Sequence, residues 1–156
     1  MSYKAIPLGI LLLLAVPAVS SAQNSVYYQV SASGTNFCNP TATNVKKTLF
    51  IGFLLGDVAF ENVNVMAIAN DQLFKDHIAS LLQEEIFFTG NVLTTGAFMY
   101  GNNDSSGNVS AFAGTFKNDA NGVLTSFTGT LNLTFQNGCF ETLIIKSGPQ
   151  VPPPPP

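Results

Sequence analysis

Few residues of this chain could carry out catalysis, and its one histidine, His77, is the first to consider. It lies in the stretch NDQLFKDHIASLLQEEIF, which has helical spacing. A general acid or base needs a partner within hydrogen-bond reach, but Glu84 is two helical turns away, about 10 Å along the axis, and Asp76 is on another face. His77 lies at the border of an apolar stripe, so a structural role at the edge of the core is favoured. A pH-sensitive contact and acid–base catalysis are the alternatives, and His77 is kept as a weak candidate functional residue.

Glutamates are the other groups that could do chemistry, because paired carboxylates cleave most glycosides. The candidates are Glu61, Glu84, Glu85 and Glu141. The adjacent Glu84 and Glu85 are more typical of a solvated helix end. The chain has no G-x-S-x-G elbow, phosphate-binding glycine loop, H-E-x-x-H zinc motif or EF-hand loop. The sequence therefore predicts no catalytic, cofactor-binding or metal-ligating residues, and no cofactor.

The two cysteines, Cys38 and Cys139, are predicted to form one structural disulfide. Cysteine pairs in exported chains are usually bridged, and this bridge would close a loop of about 100 residues. A metal site is disfavoured because it needs three or four ligands, and only one histidine could help. A redox pair is disfavoured because redox cysteines lie close together in sequence.

The charge of the chain argues against nucleic acid as a partner. Only 10% of the residues are charged, and the six basic residues are all lysine. Binding to phosphates requires clustered cations, whereas the only cluster here is Lys46-Lys47. Abundant Ser, Thr, Asn and Gly must supply the polar surface. Such a neutral surface suits an extracellular protein or a glycan as partner.

Both ends of the chain carry recognisable signals. Lys4, a short apolar run, and Ser20 and Ala22 before a cut at Gln23 predict a secretory signal peptide at residues 1–22. The apolar run is too short for a membrane span, so no span is expected after cleavage, and the protein is predicted to be secreted, extracellular or periplasmic. A β-rich domain is expected at 23–147. Residues 148–156 form a predicted Pro-rich tail, more typical of a spacer than of a groove ligand.

Most of the mature chain has the alternation of β-strands. The first strand places Val26, Tyr28, Val30 and Ala32 on one face. Residues 33–44 are rich in Gly, Asn and Pro and predict a loop. Further strands are expected at 48–55, 58–69, 87–100 (as one or two strands), 109–118 and 124–133, and after the turn at Asn137-Gly138.

One amphipathic helix is predicted at residues 71–85. Asn70 or Asp71 is a suitable N-cap, and Leu73, Phe74 and Ile78 begin an apolar stripe at helical spacing. The helix is expected to pack on the sheet.

A short internal repeat predicts a hairpin. The segments VSAFAGTFKN (109–118) and LTSFTGTLNL (124–133) share one pattern at an offset of fifteen residues. If Phe116 faces Val123, then Phe112 faces Phe127, and the glycines of both strands leave room for the rings.

Asn137-Gly138 predicts a second hairpin with a two-residue turn. That turn would pair Phe135 with Phe140 and Leu131 with Ile144. The opposite face of the last strand, with Cys139, Glu141, Leu143 and Ile145, would then be covered by the helix.

The predicted fold is therefore mainly β (α+β): an antiparallel meander of about seven strands in a curved sheet or small barrel, with one helix packed on it. A two-sheet β-sandwich is the alternative.

Three classes of function are compatible with these residues. The first is a non-enzymatic extracellular or periplasmic module with a surface-structural or adhesion role, which low charge and the disulfide favour. The second is a small β-barrel that binds an apolar small molecule, since thirteen phenylalanines could line a cavity. The third, a secreted hydrolase, is least favoured. A cavity would discriminate between the first two.

Overall fold

The chain folds into a closed barrel of eight antiparallel strands. The computed structural model describes residues 25–38, 41–55, 60–67, 85–103, 108–134 and 138–153. Each strand pairs with the next one along the chain, and the last pairs with the first. The strands are β1 (Ser25–Asn36), β2 (Thr43–Leu55), β3 (Phe60–Ala67), β4 (Glu85–Val92), β5 (Ala97–Asn103), β6 (Val109–Asn118), β7 (Leu124–Thr134) and β8 (Phe140–Val151).

Pairing between β1 and β8 decides between the two predicted architectures. This ladder runs from Asn36 opposite Glu141 to Tyr27 opposite Val151, while β2 pairs along the other edge of β1. The predicted small barrel is confirmed, and the sandwich alternative is wrong. The expected count of about seven strands is corrected to eight. Strand β8 also takes in residues 148–151, where the Pro-rich tail was predicted to begin.

The interior of the barrel is an apolar core built from alternate residues of the strands. In β1 the predicted face is confirmed, because Tyr28, Val30 and Ala32 are each at most 2% exposed. Phe53 of β2 lies at the centre, with its ring centroid 4.8 Å from those of both Phe116 and Phe127. Edge-to-face contacts of this kind add to the stabilisation from burial.

The predicted loop at residues 33–44 is strand at both of its ends, over residues 33–36 and 43–44, and only the described residues between these ends are not strand. Ser33 pairs with Lys46, and Thr35 pairs with Asn44. Gly, Asn and Pro are depleted in strands, which is why the sequence pattern indicated a loop. Both edges of β1 are hydrogen-bonded, to β2 and to β8, and this tertiary pairing outweighs the local preference.

The predicted helix at 71–85 lies outside the described residues, except for Glu85, which is the first residue of β4. The part of the chain that the structure describes contains no helix. None of the described segments is therefore a helix of the length and apolarity needed to cross a membrane.

The hairpin predicted from the repeat is confirmed, but its register is wrong by four residues. Phe116 pairs with Phe127 rather than with Val123. The Asp119 N–H donates to the Val123 carbonyl over 2.9 Å, so the loop contains three residues instead of the six, 117–122, that separate Phe116 from Val123 in the predicted register. It ends on Gly122, whose φ of 78° is the left-handed conformation such loops require.

The register between β7 and β8 differs from the prediction by one residue, which reverses the faces of β8. Leu131 pairs with Leu143 instead of Ile144. Leu143 is fully buried, whereas Phe140 and Ile144 are 42% and 48% exposed. The face that carries Glu141 and Leu143 points into the barrel, so closure of the barrel covers it, and no covering helix is needed.

Tyr100 gives a first testable prediction, because its phenol donates a hydrogen bond to the Phe60 carbonyl over 2.9 Å. Tyr100→Phe should lower the free energy of unfolding by about 1 kcal/mol, as measured by urea denaturation. Tyr27→Phe, on the outer face, should change it much less. An equal loss in both variants would contradict a specific role for the Tyr100 hydrogen bond.

The pH dependence of stability gives a second readout of the same group. Burial raises the pKa of the Tyr100 phenol above the ordinary value of 10.0, and burial also raises the pKa of Tyr28. The folded state thus holds these protons above pH 10, where the unfolded chain releases them. The contribution of these two phenols to the free energy of unfolding should be fully present below pH 10 and be lost as the pH rises above it. The fall should be shallower in Tyr100→Phe than in the wild type.

Candidate functional site

The predicted disulfide is confirmed and lies at one end of the barrel. Cys38 and Cys139 are bridged, with their Cα atoms 4.5 Å apart. Cys38 follows the end of β1, and Cys139 precedes the start of β8. We call this end of the barrel, where β1 ends and β8 begins, the disulfide end.

A buried polar cluster lies inside the barrel next to the bridge. The Glu141 carboxylate is 0% exposed, and its Oε1 lies 2.7 Å from Lys47 Nζ. Its Oε2 accepts a hydrogen bond from Asn36 Nδ2 over 2.9 Å. Asn36 Oδ1 accepts from the Cys38 backbone N–H over 2.7 Å. The cluster therefore links the disulfide to the inner faces of β2 and β8 through one ion pair and two hydrogen bonds.

The other residues considered for chemistry are not brought into one site by the described residues. His77 and Glu84 lie outside them. Glu61 is exposed on β3, and Glu85 accepts a hydrogen bond from Asn64 Nδ2 over 2.6 Å. Within the described ranges no three His, Cys, Asp or Glu side chains group as metal ligands would.

The opposite end of the barrel contains a cavity of about 640 Å³. We call this end, where β1 begins and β8 ends, the mouth. Eight of the residues that line the cavity are apolar, and Thr94, Asn118 and Gln150 contribute polar side chains. The apolar ones are Val26, Leu55, Phe60, Val92, Leu93, Phe116, Val123 and Leu124.

Two tight hairpins fix part of the rim of the mouth. In the β4–β5 turn the Leu93 N–H donates to the Ala97 carbonyl over 2.7 Å, and Gly96 has a φ of 83°. The Gly96 carbonyl also accepts a hydrogen bond from the Phe116 N–H of β6 over 2.8 Å. In the β6–β7 turn the Asp119 carboxylate accepts from the Val123 N–H over 2.9 Å. The Gly96–Phe116 bond holds the β4–β5 turn against β6, and the Asp119 carboxylate fixes the β6–β7 turn internally, so this side of the mouth is preformed.

Aromatic side chains form the floor of the cavity. The rings of Phe60 and Phe116 lie 6.0 Å apart between centroids, and both line the cavity. Below them, the Tyr28 hydroxyl donates to the Leu124 carbonyl over 3.2 Å. The packed core thus closes the cavity from beneath and confines it to the mouth.

Sequence reasoning did not identify the mouth. Its lining comes from seven strands and two turns that are distant in sequence. A weak local signal exists, because Leu93 and Val123 are apolar residues beside turn glycines. Both are strongly exposed, at 62% and 59%.

The chain was compared with family models, with curated proteins and with solved structures, and none of them matches. A function for this protein is therefore inferred from its own residues, those of the mouth and of the outer barrel surface.

Proposed function

We propose that this protein is a secreted, non-enzymatic binding module whose barrel mouth takes up a small apolar molecule. The observation that carries the proposal is the cavity of about 640 Å³ with a mainly apolar lining. Ligand sites in proteins typically have volumes of about 300–1,000 Å³, and the mouths of β-barrels are among their usual places.

The composition of the lining supports an uncharged ligand. Leu55, Phe60 and Phe116 offer apolar surface, and the polar side chains are neutral amides or a hydroxyl. The apolar part of a ligand would gain free energy by moving from water to this lining. One hydroxyl or carbonyl of the ligand could form a hydrogen bond with Thr94, Asn118 or Gln150.

The core limits how deeply a ligand could enter. An eight-stranded barrel has an interior that either is filled by side chains or holds one small ligand. Here Phe53, Phe116 and Phe127 fill it. The ligand would therefore bind in the mouth rather than along the barrel axis.

Secretion is part of the proposal. The Cys38–Cys139 bridge fits an oxidising compartment such as the extracellular space or the periplasm. The predicted signal peptide at residues 1–22 agrees with this.

Uptake of retinol, a neutral and fluorescent apolar alcohol, tests the proposal. The purified protein should enhance retinol fluorescence in a saturable titration. Leu93→Asp should weaken this binding about tenfold or more, because it places a carboxylate against the apolar ligand. Leu93 is 62% exposed, and its turn is held by backbone hydrogen bonds, so the variant should remain folded.

Met99→Asp is the matched control. Met99 is 72% exposed on the outer face of β5, away from the mouth, so this variant should bind retinol as the wild type does. Absence of uptake by the wild type would reject the apolar-ligand proposal and favour the surface-structural or adhesion role. An equal loss in both variants would reject the mouth as the site.

A further inference from the structure

A shallow groove runs along the outer face of β1, separate from the mouth. Its floor is formed by Ser31, Ser33 and Thr35, whose side chains alternate outward. Two adjoining depressions of about 410 and 560 Å³ share Ser33 and Lys46. We call this feature the β1 groove.

The two depressions lie between β1 and β2, and β8 flanks β1 on its other side. Strand pairing defines which residue lies beside each hydroxyl. Lys146 of β8 lies beside Ser31, and Lys46 of β2 lies beside Ser33. Thr35 lies between an amide side chain and a hydroxyl, those of Asn44 and Thr142. The groove and its β8 flank thus offer hydroxyls and amides along β1, with one lysine from β2 and one from β8.

An aromatic platform lies beyond Thr35, at the disulfide end of the groove. The rings of Phe37 and Phe140 are stacked, with 4.3 Å between centroids and 22° between planes. They are 41% and 42% exposed. The Phe37 N–H donates to the Phe140 carbonyl over 2.8 Å, which fixes the two backbones. Ser31 to Phe37 spans about 20 Å at the usual rise of a strand.

The charge on this face is opposite in sign to that of the whole chain. The formal net charge is −3, yet the outward positions of β1, β2 and β8 carry lysine and no carboxylate. The one acidic residue of these three strands, Glu141, points inward and contacts Lys47. A local surface of this kind attracts anions even on an acidic protein.

We propose that the β1 groove binds an acidic polysaccharide built from uronic acid units. Sugar hydroxyls both donate and accept hydrogen bonds, as do the hydroxyls and amides that line the groove. Uronate carboxylates are the anions that Lys46 and Lys146 can bind as point charges. The C–H face of a sugar ring can lie on the Phe140 ring, since aromatic faces are electron-rich.

Other partner classes fit this groove less well. A peptide strand cannot add to β1, because β1 is already hydrogen-bonded on both edges to β2 and β8. An anionic membrane is usually recognised by a cluster of about 4–8 basic residues, whereas two lysines flank the groove. Nucleic acids require a larger basic surface for the same reason.

Binding of carboxylated oligosaccharides tests the proposal. The wild-type protein should bind oligomers of polygalacturonate or alginate in a calorimetric titration, and the affinity should fall with added salt. Fully methyl-esterified oligogalacturonate has the same backbone without the charge and should bind much more weakly. Lys46→Ala combined with Lys146→Ala should weaken binding about tenfold, as expected for two exposed ion pairs.

Two single variants separate groove binding from general attraction of anions. Lys117→Ala removes an exposed lysine of β6 that lies outside the groove and should change the affinity less than about twofold. Phe140→Ala should weaken binding several-fold through loss of ring stacking, with the charge unchanged. All of these side chains are exposed, so circular dichroism should show an intact barrel.

The proposal is overturned if neither acidic oligosaccharide binds, or if the methyl ester binds as tightly as the acid. It is also overturned if Lys117→Ala weakens binding as much as the groove double variant does. The retinol titration is independent of all these outcomes, because the mouth and the β1 groove share no lining residue.

Discussion

Replacing both bridged cysteines, Cys38→Ser with Cys139→Ser, should lower the free energy of unfolding by about 4–5 kcal/mol. The two half-cystines are 101 residues apart in sequence, and cross-linking a loop of that length restricts the unfolded chain by about 4.7 kcal/mol in the chain-entropy model. The bridge joins the residues that flank the Asn36–Glu141 pair, where β1 meets β8. It therefore ties the two strands that are furthest apart in sequence and that close the barrel.

Chemical denaturation monitored by circular dichroism measures this effect, provided that unfolding is two-state. The reduced wild-type protein serves as the control, since it lacks the same constraint and should match the double variant. In thermal denaturation, the double variant should melt roughly 10–20 °C below the wild type, from the usual relation between stability and melting temperature. A loss below about 1 kcal/mol would mean that the unfolded chain is not restricted by the bridge.

Glu141→Ala should destabilise the barrel by about 3–5 kcal/mol, the usual cost of removing one partner of a buried ion pair. Glu141 is 0% exposed, and the Lys47 side chain is 11% exposed, so water screens the contact poorly. The substitution leaves the Lys47 ammonium inside the barrel without this carboxylate. It also removes the acceptor that Asn36 Nδ2 uses.

A double-mutant cycle identifies the cause of this loss. Adding Lys47→Met to Glu141→Leu replaces both charges by apolar groups, and the double variant should be more stable than Glu141→Leu alone. Glu61→Ala removes an exposed carboxylate of β3 and should change stability by no more than about 0.5 kcal/mol. Additive effects of the Lys47 and Glu141 substitutions would show that the two side chains do not act as a pair.

The β-rich class of the fold and several of its strands could be predicted from local patterns. Val26 to Ala32 alternate as a half-buried strand, and the repeat at 109–118 and 124–133 predicted a hairpin that exists. The register of both predicted hairpins was wrong, by four residues in β6–β7 and by one in β7–β8, because any change in the length of a turn changes every pair. In β7–β8 a shift of one residue places Leu143 in the interior, where Ile144 was predicted.

The barrel mouth and the β1 groove could not be found from sequence spacing, since each is assembled from residues distant in the chain. The groove depends on the strand at 33–36, which local preference indicated as loop. It also depends on β8 lying beside β1, a pairing across more than a hundred residues. The disulfide was predictable because two cysteines allow a single pairing.

Local alternation and chain composition were enough to establish a β-rich chain and the Cys38–Cys139 bridge, because these properties depend on neighbouring residues or on simple counts. Barrel closure, the inward direction of Glu141 and the alignment of Lys46 and Lys146 along one groove emerged from long-range pairing. These features depend on the hydrogen bonds between β1 and β8. Because the two strands are far apart in sequence, no local pattern shows that they pair.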